Sequence, residues 1–126
     1  LPPKSLDVND VNLSSIRGLN LEDSVATLSE LTSLTIVNAL NFFDTKPNEI
    51  ILCGGGRKNK YIFERIKLLS NILTNNIDDY KINGDYIESQ AFAYLAIRSF
   101  LKKPISFPET TGTSKPSTGG NFFKFK

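Results

Sequence analysis

Apolar and polar positions fall in blocks along this chain, and the period of each block predicts an element. From Leu21 the run LEDSVATLSELTSLTIVNALNFF sets Val25, Leu28, Leu31, Ile36, Leu40 and Phe43 near helical spacing. Asn20 stands at the N-cap position, and Glu22 and Asp23 put negative charge at the positive end of the helix dipole. The middle of this run is apolar on more than one face, which predicts a largely buried helix. Pro47 and Asn48 break it, and EIILC follows as an apolar run of strand length. NKYIFERIKLLSNIL then places Ile62, Ile66, Leu69 and Leu73 on one stripe with charges opposite, which predicts a second helix. IDDYKI reads as a weaker second strand. GDYIESQAFAYLAIRSFLKK predicts a long buried helix from about residue 85 to about residue 101, carrying Ala91, Phe92, Leu95, Ala96 and Phe100. Lys102 and Lys103 suit its negative end, and Pro104 stops it.

The predicted order is helix, strand, helix, strand, helix, an α/β pattern with one helical crossover at its centre. Residues 1–20, rich in Pro, Asp, Asn and Ser, read as an irregular connecting segment, and residues 21–126 as the folded body. The tail TTGTSKPSTGGNFFKF is turn-rich, and its closing aromatics either pack back on the body or form an edge strand. Thr110, Thr111 and Gly112 in that tail line a ligand site or make an ordinary turn.

Composition narrows the chemistry. A chain of 126 residues, 40% hydrophobic and 22% charged, has the make-up of one small globular domain. A formal net charge of +2 gives no support to a nucleic-acid coat or a polybasic membrane anchor. No apolar run approaches the roughly 18 residues a membrane span needs, so the cytoplasm is the expected compartment. The chain has no Met, even at its first position, and is expected to be a piece of a longer protein. It has no His either, which removes His-based acid–base chemistry and His-ligated metal from this segment. Cys53, the single cysteine, reads as a small buried strand residue; without a His partner it is a poor nucleophile.

Two stretches stand out. In LCGGGRKN, Gly54, Gly55 and Gly56 follow the first strand and precede a helix. Ligands of open α/β sheets sit beyond the carboxyl ends of strands, and glycine there lets the backbone approach closely and frees its N–H groups. The segment matches neither a Walker loop nor a G-x-G-x-x-G register. A tight strand-to-helix corner and a nucleotide-binding turn therefore both fit. Asn59 fits the cap of the following helix, or a contact to a purine or ribose. Arg57 and Lys58 read as solvated loop cations, with a phosphate contact as the alternative. In GDYIES, Asp85 and Glu88 stand three apart at a helix start, the arrangement of a capping box. Glu88 sits directly before the apolar AFAYLA, where an acidic group suits sugar hydroxyls.

PPKS, DSVATLSELTSLTIVNAL, ILCGGGRKN, GDYIESQAFAYLAIR and TGTSKPSTGG occur in the order seen in 1,6-anhydro-N-acetylmuramic acid kinases. The chain resembles the C-terminal third or so of that family. The resemblance implies part of the second ribonuclease-H-like lobe of an actin/hexokinase/Hsp70-like ATPase fold. It implies a reaction in which water opens the 1,6-anhydro ring while the γ-phosphoryl group of ATP passes to the sugar O6. The product is N-acetylmuramic acid 6-phosphate, an intermediate of peptidoglycan recycling, and Mg²⁺ would bridge the ATP phosphates. Carried over by motif, Gly54, Gly55, Gly56 and Asn59 correspond to the adenosine motif. Glu88 corresponds to a sugar-binding residue, and Asp85 to a second substrate-side residue that supports the turn. The family's catalytic Asp lies in an earlier D-T-G-P-G-N-like motif that this chain lacks, as it lacks the phosphate-binding hairpin of the first lobe. The resemblance thus implies a missing N-terminal lobe, an isolated chain without activity, and a homodimer. Another sugar kinase or ATPase of the same fold, or a non-catalytic α/β interaction module, are the alternatives.

Overall fold

The computed structural model of the protein describes residues 12–124, which divide into two compact units, Asn12–Ile87 and residues 88–124. The first unit opens on a 3-10 turn, Ser14–Ile16, and enters helix α1, Leu21–Ala39. Asn20 caps it as its sequence position predicts, Oδ1 accepting from the Asp23 amide at 2.8 Å. A 3-10 turn, Leu40–Phe42, closes α1, and the chain passes through Pro47 into strand β1, Glu49–Leu52. A further 3-10 turn, Gly55–Lys58, leads to helix α2, Lys60–Ser70, and then to strand β2, Leu73–Asn76. The two strands pair in parallel, Glu49 opposite Leu73 and Leu52 opposite Asn76. Parallel pairing requires a crossover between the strands, and α2 supplies it.

The second strand lies earlier than the sequence pattern predicts. Asn71 takes the left-handed conformation at φ 51° and ends α2 after Ser70, so that Ile72 and Leu73 leave the helix. Leu73 accordingly belongs to β2 rather than to the α2 stripe. The expected strand IDDYKI is instead a 3-10 turn, Ile77–Tyr80, whose Asp79 Oδ2 accepts from the Asn76 amide at 2.9 Å.

Helices α1 and α2 are clasped by Glu30, which accepts three hydrogen bonds from the Arg65 guanidinium at 2.7–3.0 Å and one from the Tyr61 hydroxyl at 3.0 Å. Ile66 and Ile72 are the buried hydrophobic residues of this unit. The expectation that α1 is largely buried does not hold. Leu21 is 74% and Val25 55% exposed, and Ser33 is its one buried residue. The physical reason is coverage: α2 and the flanking 3-10 turns reach only part of a helix that is apolar on several sides.

In the second unit, helix α3 runs Ile87–Phe100, with Ile87 itself the last residue of the first unit. It ends in a left-handed turn at Lys102, held by the Lys103 amide donating to the Arg98 carbonyl at 2.8 Å. Arg98 donates in turn to the Pro104 carbonyl at 2.7 Å. Helix α4, Pro108–Thr111, ends at Gly112 in the left-handed region at φ 72°, so Thr110, Thr111 and Gly112 make a helical turn. Ser106 and Ser117 form an antiparallel bridge, and the tail packs back: the Phe122 ring meets Phe100 edge-on at 5.5 Å. The expected burial of α3 is also overturned. Ser99 is its buried residue, whereas Phe92, Tyr94, Ile97 and Phe100 are each more than half exposed. Among the described residues of its own unit, the short tail is what packs against it.

Candidate functional site

The glycine turn stands at the carboxyl end of β1. Gly54 adopts φ 71°, ψ −176°, a backbone region open essentially to glycine alone. Gly55 and Gly56 carry no such constraint and open the 3-10 turn. At none of the three would an added Cβ meet another heavy atom within 4 Å. The glycines are therefore not required by close packing of helix on sheet. Gly54 is required by its backbone angles, and the surface over Gly55 and Gly56 is open. Cys53, expected to be a buried strand residue, lies just past β1 and is exposed, as is Ile51 two residues earlier on the strand itself.

Asn59 caps α2, its side-chain oxygen accepting from the Tyr61 and Ile62 amides at 3.0 and 3.2 Å. Its side-chain NH₂ has no protein partner among the described residues.

Arg57 departs from the reading as a solvated cation: it is 6% exposed. Its guanidinium grips Asp78 with two nitrogens, Nε to Oδ2 and Nη2 to Oδ1, the second at 3.2 Å. Nη1 donates to the Gly54 carbonyl at 2.9 Å and to Asp85 Oδ1 at 2.9 Å. Lys58 Nζ lies 2.7 Å from the same Asp85 oxygen, though its side chain is largely exposed. Asp78 Oδ1 also accepts from the Gly84 amide at 3.2 Å. Gly84 is buried against the guanidinium, and a Cβ there would stand 2.3 Å from Arg57 Nε.

The charges follow this geometry. The guanidinium of Arg57 and the ammonium of Lys58 hold the Asp85 carboxyl down at about 2, and Arg57 with the Gly84 amide lowers Asp78. Both aspartates together raise the pKa of Arg57. Asp85 is thus spent on the glycine turn rather than on capping α3, against the capping-box expectation. Glu88 lies in the first turn of α3, in the second unit, exposed and without a side-chain hydrogen bond or ion pair among the described residues. Arg57 was read as a solvated cation, and Asp78 and Gly84 are the members that sequence reasoning missed. The Asp-Asp of IDDYKI and the Asn-Gly-Asp that follows were visible, but their partner lies more than twenty residues earlier.

These residues define a mixed α/β chain whose parallel strand pair carries an open, rigidly braced glycine turn at the end of its first strand. The family model described as "Anhydro-N-acetylmuramic acid kinase" matches residues 6–124, and the chain belongs to that family. Among curated relatives, it is 51% identical to the anhydro-N-acetylmuramic acid kinase of Pelagibacter ubique, over 95% of this chain and 34% of that protein. It is 42% identical to the kinase of the same name from Zymomonas mobilis, over 95% of this chain and 33% of that protein. For the Rhizorhabdus wittichii kinase the identity is 41%, over 94% and 33%. The chain thus spans about a third of the length of the curated relatives it matches.

Proposed function

We propose that this chain forms part of an ATP-dependent kinase that hydrolytically opens 1,6-anhydro-N-acetylmuramic acid and phosphorylates it at O6. Water loses a proton to a base and its oxygen bonds to the anomeric carbon, the bond from that carbon to O6 breaks, and O6 takes the γ-phosphoryl group, leaving ADP, N-acetylmuramic acid 6-phosphate and the released proton. The chain contributes part of the second ribonuclease-H-like lobe of an actin/hexokinase/Hsp70-like ATPase fold, residues 21–126, after a connecting segment over residues 1–20. The enzyme acts in the cytoplasm in peptidoglycan recycling, and as a homodimer. The catalytic Asp and the other half of the site belong to a first lobe outside this chain.

The observation that carries this reading is the glycine turn: in a chain of this family, an open backbone surface stands where α/β sheets bind ligands. That surface fits an adenosine, with Gly54–Gly56 offering backbone and Asn59 its NH₂ group while its oxygen caps α2. Glu88 supplies a carboxylate for sugar hydroxyls, unpaired among the described residues, and Asp85 supports the turn from which α3 departs. Among the described residues no group of three or more acidic, Cys or His side chains is placed to hold a metal ion. ATP supplies the phosphoryl group; the residues here bind and orient.

The test is phosphoryl transfer from Mg-ATP to the anhydrosugar by a protein of the relatives' full length that carries this chain, with sugar phosphate followed by NMR. Glu88→Gln is expected to keep nucleotide binding and to weaken sugar binding roughly tenfold or more, the cost of a hydrogen bond to a charged group. ATP binding without transfer to this sugar would point to another acceptor. Turnover untouched by Glu88→Gln would remove Glu88 from the site.

A further inference from the structure

The geometry points to Arg57 as the positioning residue of the nucleotide turn, held in register by a space that Gly84 leaves for its guanidinium. This rests on the nucleotide reading of Gly54–Gly56 and assigns a residue that the reading does not need.

The arrangement is more exacting than a surface ion pair. A single planar fork reaches three places: the carbonyl of Gly54, the carboxylate of Asp78 and the carboxylate of Asp85. Gly54 is the residue whose backbone angles aim the turn, so a donor fixed on its carbonyl fixes the peptide plane that follows it. Asp78 belongs to the turn after β2 and Asp85 to the segment that leads in sequence into α3. The guanidinium thereby ties the ends of both parallel strands and that segment to one rigid group. It is buried with its charge balanced by two carboxylates, the condition under which a buried cation is tolerable.

Gly84 makes the inference specific. Its φ lies outside the left-handed region, so its backbone alone does not ask for glycine. What asks for glycine is Arg57, whose Nε, Cζ and Cδ would all lie within 2.8 Å of an added Cβ. A methyl group at position 84 must displace the guanidinium, and so reaches the nucleotide turn without touching it.

Arg57→Lys keeps the charge and loses the fork; Gly84→Ala keeps Arg57 and moves it. In a protein of the relatives' full length carrying this chain, each is expected to raise the KM for ATP about tenfold, the loss of one or two charge-assisted hydrogen bonds, with the KM for the anhydrosugar little changed. The double variant is expected to be markedly less damaging than the two effects combined, because a lysine yields the space that the guanidinium holds. A wild-type KM for ATP in Arg57→Lys, alongside a lowered Tm, would make Arg57 a strut of the fold and overturn the proposal. Additive effects in the double variant would overturn the role of Gly84. Should Arg57→Lys fail to fold, Gly84→Ala carries the same test on ATP KM. Absence of any saturable ATP dependence in the wild-type protein would instead strike the nucleotide reading beneath it, a failure distinct from either of these.

Discussion

At the scale of the residue, the three glycines of one turn have different reasons to be glycine. Gly54 needs its backbone angles, with φ 71° and ψ −176°, whereas its neighbours have neither a positive φ nor a close neighbour. Gly54→Ala is therefore expected to cost about 1–3 kcal/mol although empty space surrounds the new methyl group. Denaturant unfolding checks this, and a loss under about 0.5 kcal/mol would contradict it, being within the usual range for a surface substitution. Sequence alone shows a glycine triplet and cannot rank its members, because the strain is set by where β1 ends and the 3-10 turn begins. Asn59 was legible in part. Its place before a helical run predicts the cap, and the structure adds that its oxygen is committed while its nitrogen has no partner among the described residues.

At the scale of the element, period and breakers carried α1, β1, α2 and α3 into view, since amphipathic spacing and caps are local properties. The second strand was misplaced because its start depends on one left-handed asparagine, Asn71, that spacing does not reveal. Burial was misjudged for α1 and α3 because apolar content measures what a helix is able to bury, not what covers it. The ionic link from the glycine turn to residues 78 and 85 was invisible for a related reason: it joins parts brought together only by the βαβ crossover. That link predicts a pH response. The Asp85 carboxyl is depressed from 3.8 to about 2 in the folded chain, and Asp78 is lowered in the same direction. A depressed carboxyl stabilises the fold above its unfolded value and loses that contribution as pH falls through the folded one. Tm is thus expected to hold above about pH 4 and to fall between about pH 4 and about pH 2. Asp85→Asn should lower Tm near neutrality and shrink its dependence on pH across that window. An Asp85→Asn profile parallel to that of the wild type throughout would contradict the assignment.

At the scale of the whole molecule, a chain of about a third of its relatives' length carries an open glycine turn and a helix whose aromatics are more than half exposed. Family membership was legible because LCGGGRKN and GDYIESQAFAYLA occur together in order, and the family match over residues 6–124 agrees with it. The central claim is that the backbone of Gly54–Gly56 receives the nucleotide. It is tested most directly by the ATP KM of Gly55→Ala and Gly56→Ala in a protein of full family length, measured beside Tm. Both positions tolerate a methyl group sterically, and removing a glycine there favours the folded state only slightly. The account predicts an ATP KM raised about tenfold by a methyl group forced into the contact, with Tm unchanged or marginally higher. An ATP KM equal to that of the wild type in both variants would contradict it and leave the turn a corner between a strand and a helix.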